Sequence, residues 1–142
     1  MALAILIVDD SVVMRAMIRR TLTAGGIAVA RIGEAGNGQD ALDAIASDRW
    51  DLVIADLNMP VMDGEAMLAS IRAHPLTRRL PVIVVSTESS ETRVEALRRL
   101  DAAFVHKPFT PALLAGEILR LTGGPDGHLA PVSTELGGDV DF

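Results

Sequence analysis

The sequence predicts an α/β domain whose mostly parallel sheet is covered by helices on both faces. Two observations predict it. Short apolar runs alternate with amphipathic segments five times along the chain, and three of those runs are apolar throughout, as strands buried on both faces require. A length of 142 residues, 49% of them apolar, suits one core that needs no disulfide or structural metal.

Residues 3–8 (LAILIV) form an apolar run too short for a helix. Ser11 opens a segment in which Val13, Met17 and Leu22 fit one face of an amphipathic helix, and Gly25 with Gly26 stops it. A strand around 28–33 (AVARIG) carries Arg31 and suits a sheet edge. A helix over about 38–47 precedes a strand at 51–56, and a helix over about 64–73 precedes a strand at 81–86. A helix over about 90–100 precedes the last strand at 102–107. Thr110 is placed as the N-cap and Pro111 as the first residue of a final helix that runs to Leu121. Right-handed crossovers between parallel strands place these helices on both sides of the sheet.

Residues 122–142 hold five glycines and two prolines without a lysine or arginine, and read as a flexible acidic tail after a domain of residues 1–121. Asp126, Glu135, Asp139 and Asp141 supply four of the charges behind the net charge of -6. The remaining 13 basic and 15 acidic residues nearly balance, so no basic face for nucleic acid is expected. The absence of cysteine excludes thiol catalysis and disulfide scaffolds. The apolar run from Leu3 to Val8 ends at two aspartates, too short for a signal peptide or a membrane span, and a cytoplasmic monomer is expected.

In a sheet of this kind, ligands gather beyond the carboxyl ends of the strands, where strand order reverses. Asp9 and Asp10 end the first strand, Asp56 the third, Ser86 and Thr87 the fourth, and Lys107 the fifth. Three carboxylates converging on one edge repel one another unless a cation lies between them. Magnesium suits such a site, because it takes one or two carboxylates together with waters and a phosphate oxygen. Lys107 is the only lysine in a chain whose other twelve basic residues are arginine. Its flexible stem can bring a compact ammonium to a phosphoryl oxygen, where a wider guanidinium prefers a bidentate fit. The Lys107–Pro108 peptide is expected to be cis, aiming that ammonium inward.

The stretches VDDS at 8–11, ADLNMPVMDG at 55–64, VVST at 84–87 and KPF at 107–109 resemble the receiver domain of bacterial response regulators, above all the stand-alone chemotaxis (CheY) type. The resemblance covers residues 3 to about 121 and implies a flavodoxin-like (β/α)5 fold, doubly wound, with strand order 2-1-3-4-5. It implies that Asp56 is the phosphoacceptor, attacking a phosphohistidine on a partner histidine kinase. Asp10 and Asp56 would ligate Mg2+ with the backbone carbonyl of Asn58, Asp9 acting through a bound water. Ser86 and Lys107 would hold phosphoryl oxygens, with Thr87 beside them at the strand end. Ser86 and Phe104 would couple the site to an output face made by helix 4, strand 5 and helix 5. That face would bind a downstream protein such as the flagellar motor switch. Asn58 and Glu88 would tune the lifetime of the acyl phosphate and make it short. Phe104 departs from the tyrosine usual in the chemotaxis type and so lacks its hydroxyl.

Plainer readings stand beside these. Asp9 and Asp10 could cap a helix, Asp56 could be a loop acid, and Thr87 could be a strand-end hydroxyl or the N-cap of the next helix. Asp63 and Gly64 read as turn formers, glycine supplying the positive φ such a turn often needs. Phe104 could simply pack, and His106, on the same face of strand 5, either makes the output surface acid-sensitive or is a solvated edge residue. His74 reads as a loop residue and His128 as part of the tail. A phosphorelay intermediate and a receiver within a longer regulator are alternative functions. A magnesium phosphohydrolase with an aspartyl nucleophile is a remote one.

Overall fold

Alternate residues of the inner strands face opposite sides of the sheet, and this sorts the apolar side chains into two cores. In the computed structural model, which describes residues 2–88 and 90–123, the strands are β1 (Leu3–Val8), β2 (Val29–Ala35), β3 (Leu52–Ala55), β4 (Val82–Ser86) and β5 (Ala103–His106). The helices are α1 (Val12–Ala24), α2 (Gly38–Ser47), α3 (Gly64–Ala73), α4 (Glu91–Arg99) and α5 (Pro111–Thr122). All pairings are parallel, in the order β2-β1-β3-β4-β5. The expected doubly wound topology is therefore present, and order reverses between β1 and β3.

Leu6, Val8, Val53, Ala55, Val82 and Val84 meet Ala41 and Ile45 of α2, Met67, Leu68 and Ile71 of α3 and Leu97 of α4. On the other face Ile5, Ile7, Leu52, Ile54, Ile83 and Val85 meet Ile18 and Leu22 of α1 and Leu114 and Ile118 of α5. Every residue of β3 and β4 is buried, as their uninterrupted apolar runs predict. β2 lies at an edge with a mixed burial pattern. No described helix is long and apolar enough to cross a membrane.

Side-chain caps start the helices: Ser11, Asn37, Asp63, Ser90 and Thr110 each accept a backbone N–H from the first turn. Thr110 and Pro111 sit as predicted. Ser90, not Thr87, caps α4. The strands are shorter than predicted at most ends, β2 runs on to Ala35, and α5 extends one residue past Leu121. The acidic tail, with Asp126, His128, Glu135, Asp139 and Asp141, lies outside the described residues apart from Thr122 and Gly123.

One expected face is right only in part. Leu22 of α1 is buried as expected, but Val13 and Met17 are exposed, and Met14 and Ile18 turn to the sheet in their place. The segment has apolar residues on both sides of its helical wheel, so periodicity alone selects no single stripe.

Gly33 on β2 is fitted to its neighbour. A Cβ there would lie 2.3 Å from the Trp50 ring. That ring is fixed by an indole N–H donated to the Ala44 carbonyl at 3.1 Å and by the Arg31 guanidinium 4.2 Å from its centroid. Gly33→Ala should therefore destabilise the protein by about 1–3 kcal/mol through overpacking. Urea unfolding followed by Trp50 emission measures this, and an unchanged midpoint would contradict it.

Candidate functional site

The reversal of strand order leaves a crevice above β1 and β3, and both strands end in acids there. The backbone N–H of Asp9 extends the β1–β2 ladder to Ala35, and that of Asp56 extends the β1–β3 ladder to Val8. The sheet thus fixes where both carboxylates begin. Asp9, Asp10 and Asp56 each place a carboxylate oxygen within 4.8 Å of the others.

The three carboxylates are unequal. Asp9 is 2% exposed; its Oδ1 accepts the Ser11 N–H at 2.9 Å, and its buried Oδ2 has no hydrogen-bond partner among the described residues. Asp56 is half-buried, with Oδ1 accepting the Leu57 N–H at 2.8 Å, and Asp10 is exposed. Lys107, just past β5 and joined to Pro108 by the expected cis peptide, points back into the group. Its Nζ lies 3.7 Å from Asp56 Oδ1 and 3.9 Å from Asp9 Oδ2. Those distances exceed the 2.7–2.9 Å of a charge-assisted hydrogen bond, so the ammonium supplies field without closing either carboxylate.

Burial raises the Asp9 pKa above its usual value, with the neighbouring charges of Asp56 and Asp10 adding to the rise; the Ser11 N–H and Lys107 oppose it. A buried carboxylate oxygen without a partner, beside two further carboxylates, is the donor set a hard divalent cation takes. Magnesium therefore fits the residues present.

Two neighbours set the walls. Ser86 is 1% exposed at the end of β4, and its Oγ accepts the Glu88 N–H at 3.1 Å. Thr87 beside it is exposed. On the other side, the loop from Leu57 to Asp63 makes a tight turn in which Met62 N–H reaches the Pro60 carbonyl at 2.7 Å across Val61, at φ 67°. The positive φ expected of Gly64 is found at Val61 instead. Gly64 is needed for close approach, since a Cβ there would lie 2.5 Å from the Asp56 carbonyl oxygen. Asp63 is the N-cap of α3. Below the acids, Arg15 donates to the Asp9 carbonyl and pairs with Glu34, which Arg19 also reaches; Arg19 and Arg15 hold the Glu34 carboxyl below its usual pKa.

Asn58 and Glu88 lie on the loops after β3 and β4, whereas Phe104 on β5 packs against the core of α2, α3 and α4; a residue the sequence did not single out ties the two loop residues together. Arg93 of α4 pairs with Glu88 at 3.1 Å, reaches the Asn58 Oδ1 at 3.4 Å and lies 3.9 Å from Glu65. One guanidinium thus clasps the β3–α3 loop to the β4–α4 loop. No local pattern marks it, because Asn58 is 35 residues away in the chain.

A family model described as the response regulator receiver domain matches residues 5–119. A chemotaxis protein CheY of Pseudomonas aeruginosa is 35% identical over 118 residues, which make up 82% of this chain and 94% of that protein. The signal receiver domain of a signal transduction histidine kinase from Syntrophus aciditrophicus superposes with a TM-score of 0.77 at 29% identity, over 95% of this chain and 100% of its own. The receiver domain of a Pseudomonas aeruginosa sensor histidine kinase, solved with a magnesium ion coordinated in its active-site cleft, gives a TM-score of 0.76 at 26% identity, over 87% of this chain and 100% of its own.

The Asp9 shift has a sign. Its folded pKa lies above the usual 3.8, so the native state holds this proton more tightly than the unfolded chain. That contribution to stability is present below the unfolded value and is lost as pH rises through the folded one. Asp9→Asn removes the buried charge at constant shape, so the metal-free variant should melt several degrees above the parent at neutral pH, with a smaller advantage in acid. A lower melting temperature at neutral pH would contradict the burial argument.

Proposed function

The chain belongs to the response regulator receiver family, and from that premise we propose that Asp56 is its phosphoacceptor, taking a phosphoryl group from a phosphohistidine of a partner histidine kinase in CheY-type signalling. The protein is a phospho-acceptor switch and not an enzyme acting on external substrates. The observation that carries this reading is the Lys107 ammonium, 3.7 Å from Asp56 and 3.9 Å from Asp9 without bonding either.

Asp56 Oδ1 is held by the Leu57 N–H and faces Lys107, which leaves Oδ2 as the nucleophile. The new bond joins Oδ2 to phosphorus, the P–N bond of the phosphohistidine breaks, and its electron pair returns to the imidazole. Lys107 and the Ser86 hydroxyl then receive phosphoryl oxygens. Asp9, Asp10, Asp56 and the Asn58 carbonyl would hold Mg2+, which when bound offsets the charge of the carboxylates and of the incoming group. Val12 and Val13, 69% and 71% exposed on the first turn of α1, offer apolar footing for the kinase beside the pocket.

Phosphorylation adds about two negative charges and three acceptor oxygens. Ser86 pairs with His106 in the β4–β5 register and Val84 with Phe104, so a shift of Ser86 toward the phosphoryl group is felt along β5. The face of α4, β5 and α5 is the output surface on this reading, engaging a cytoplasmic partner such as the flagellar motor switch. Asn58 and Glu88, clasped by Arg93, set how readily water reaches the acyl phosphate.

Acetyl phosphate with magnesium should add one phosphate to the intact mass of the parent and none to Asp56→Asn. A modified Asp56→Asn chain would move the acceptor elsewhere. Magnesium at about 100 times its Kd should stabilise the parent by about 2.7 kcal/mol, and much less in Asp10→Asn. The acyl phosphate should decay in well under an hour, and Arg93→Ala, which frees both loops, should shorten its life several-fold. Persistence for hours in the parent contradicts the assignment of Asn58 and Glu88.

A further inference from the structure

A second cleft opens at the opposite, amino-terminal edge of the sheet, where the chain runs into β3 and β4. It encloses about 630 Å³ between the end of α2 and the α3–β4 connection. Trp50, Leu80 and Pro81 line it half-buried, while Arg49, Arg78 and Arg79 line it exposed. Leu76 stands beside them at 88% exposure.

Among the described residues the charge here is only partly matched. Ion pairs among the described residues engage Arg15, Arg19, Arg31, Arg93 and Arg120. Arg72 donates to the Leu80, Leu100, Arg78 and Asp101 carbonyls. At the cleft itself, Arg31 is matched by Asp48 at 2.6 Å while stacking on Trp50. Arg49, Arg78 and Arg79 enter no ion pair with a described residue. A chain of net charge -6 thus gathers, around one partly apolar cleft, three guanidinium groups that pair with no described residue.

We propose that this cleft docks an acidic segment of a partner protein, its carboxylates on Arg49, Arg78 and Arg79 and an aliphatic side chain against Leu76 and Trp50. Guanidinium forks match carboxylates in pairs, and tryptophan with arginine is the composition of strongly contributing interface centres. Each exposed pair is weak alone, so recognition needs several carboxylates together with the apolar contact. A nucleic acid is disfavoured by the net charge and by the confinement of the arginines to a cleft instead of a stripe. The site faces away from Asp56, so it can be occupied whether or not the chain is phosphorylated.

Trp50 reports on the site directly, because the chain has one tryptophan and no tyrosine. The full chain is titrated with the peptide acetyl-Glu-Glu-Leu-Leu-Glu-Glu-amide, its all-glutamine counterpart, and a short single-stranded oligonucleotide. The acidic peptide should change Trp50 emission saturably, and binding should vanish at about 1 M salt, where the Debye length is ~3 Å. Arg78→Glu with Arg79→Glu should weaken it at least about tenfold, as opposed charges at a steered interface do. Arg78→Gln with Arg79→Gln gives the same direction should the reversal impair folding. Phosphate uptake from acetyl phosphate should be unaffected in both. The proposal is overturned if the glutamine peptide binds equally, if the arginine variants bind as the parent does, or if the oligonucleotide binds more tightly. It is also overturned if Trp50 emission of the full chain alone responds to salt through these arginines, which would make a segment of the chain itself the occupant.

Discussion

Three carboxylates held together at the point where strand order reverses form the constraint around which the rest of the molecule is arranged. The sheet places Asp9 and Asp56 through backbone ladders, so neither can retreat from the other without breaking main-chain hydrogen bonds. Their repulsion cannot relax by movement and must be met by charge. Lys107 meets part of it from the end of β5, at distances that leave room for a further ligand. The orphaned Asp9 oxygen marks what remains unmet. A site left in this condition is poised for a cation and an anion together, and that pairing is what phosphoryl transfer to a carboxylate requires.

The neighbouring loops carry the cost of that placement. Gly64 must come close to the Asp56 carbonyl, and the chain gets there through a turn that puts Val61, a β-branched residue, at positive φ. Such a conformation persists only where its surroundings impose it. Here the imposition comes from Gly64 N–H bonding Leu57 and from Gly38 N–H bonding Met62, which fasten the turn at both ends. Arg93 adds a side-chain clasp from α4, so the mouth of the pocket is bounded by two loops that share one guanidinium.

The sheet and its acids were legible because both depend on local pattern: unbroken apolar runs mark strands buried on two faces, and a polar residue after such a run lies at the functional edge. Strand order was legible only through resemblance, since nothing in the runs themselves says which lies beside which. The outward face of α1 was misread because Val12, Val13 and Met17 supply apolar residues on the side away from the sheet. Gly64 was assigned the wrong task because a sequence shows that glycine is present but not whether torsion or proximity requires it. Arg93 and the cluster of Arg49, Arg78 and Arg79 were invisible for one reason: each is assembled across loops distant in the chain, and arginine is this protein's ordinary basic residue.

On the proposed reading, in which α4, β5 and α5 form the output face, a signal must leave the pocket without a tyrosine hydroxyl. Ser86 lies opposite His106, and its carbonyl accepts the Lys107 N–H at 2.9 Å, so the end of β4 and the root of the lysine move as one hydrogen-bonded unit. Phe104 packs at its inner side against the core of α2, α3 and α4, and its ring meets the His106 imidazole edge-on at 6.0 Å. Clefts flank the ring toward α4 and toward α5. A phenyl ring has no hydrogen bond to hold it in either direction, so its position is decided by packing alone. Any displacement of Ser86 that tilts β5 therefore alters the space available to Phe104 and, through it, the surface at His106. Coupling of this kind is steric and needs only that the two strands stay paired.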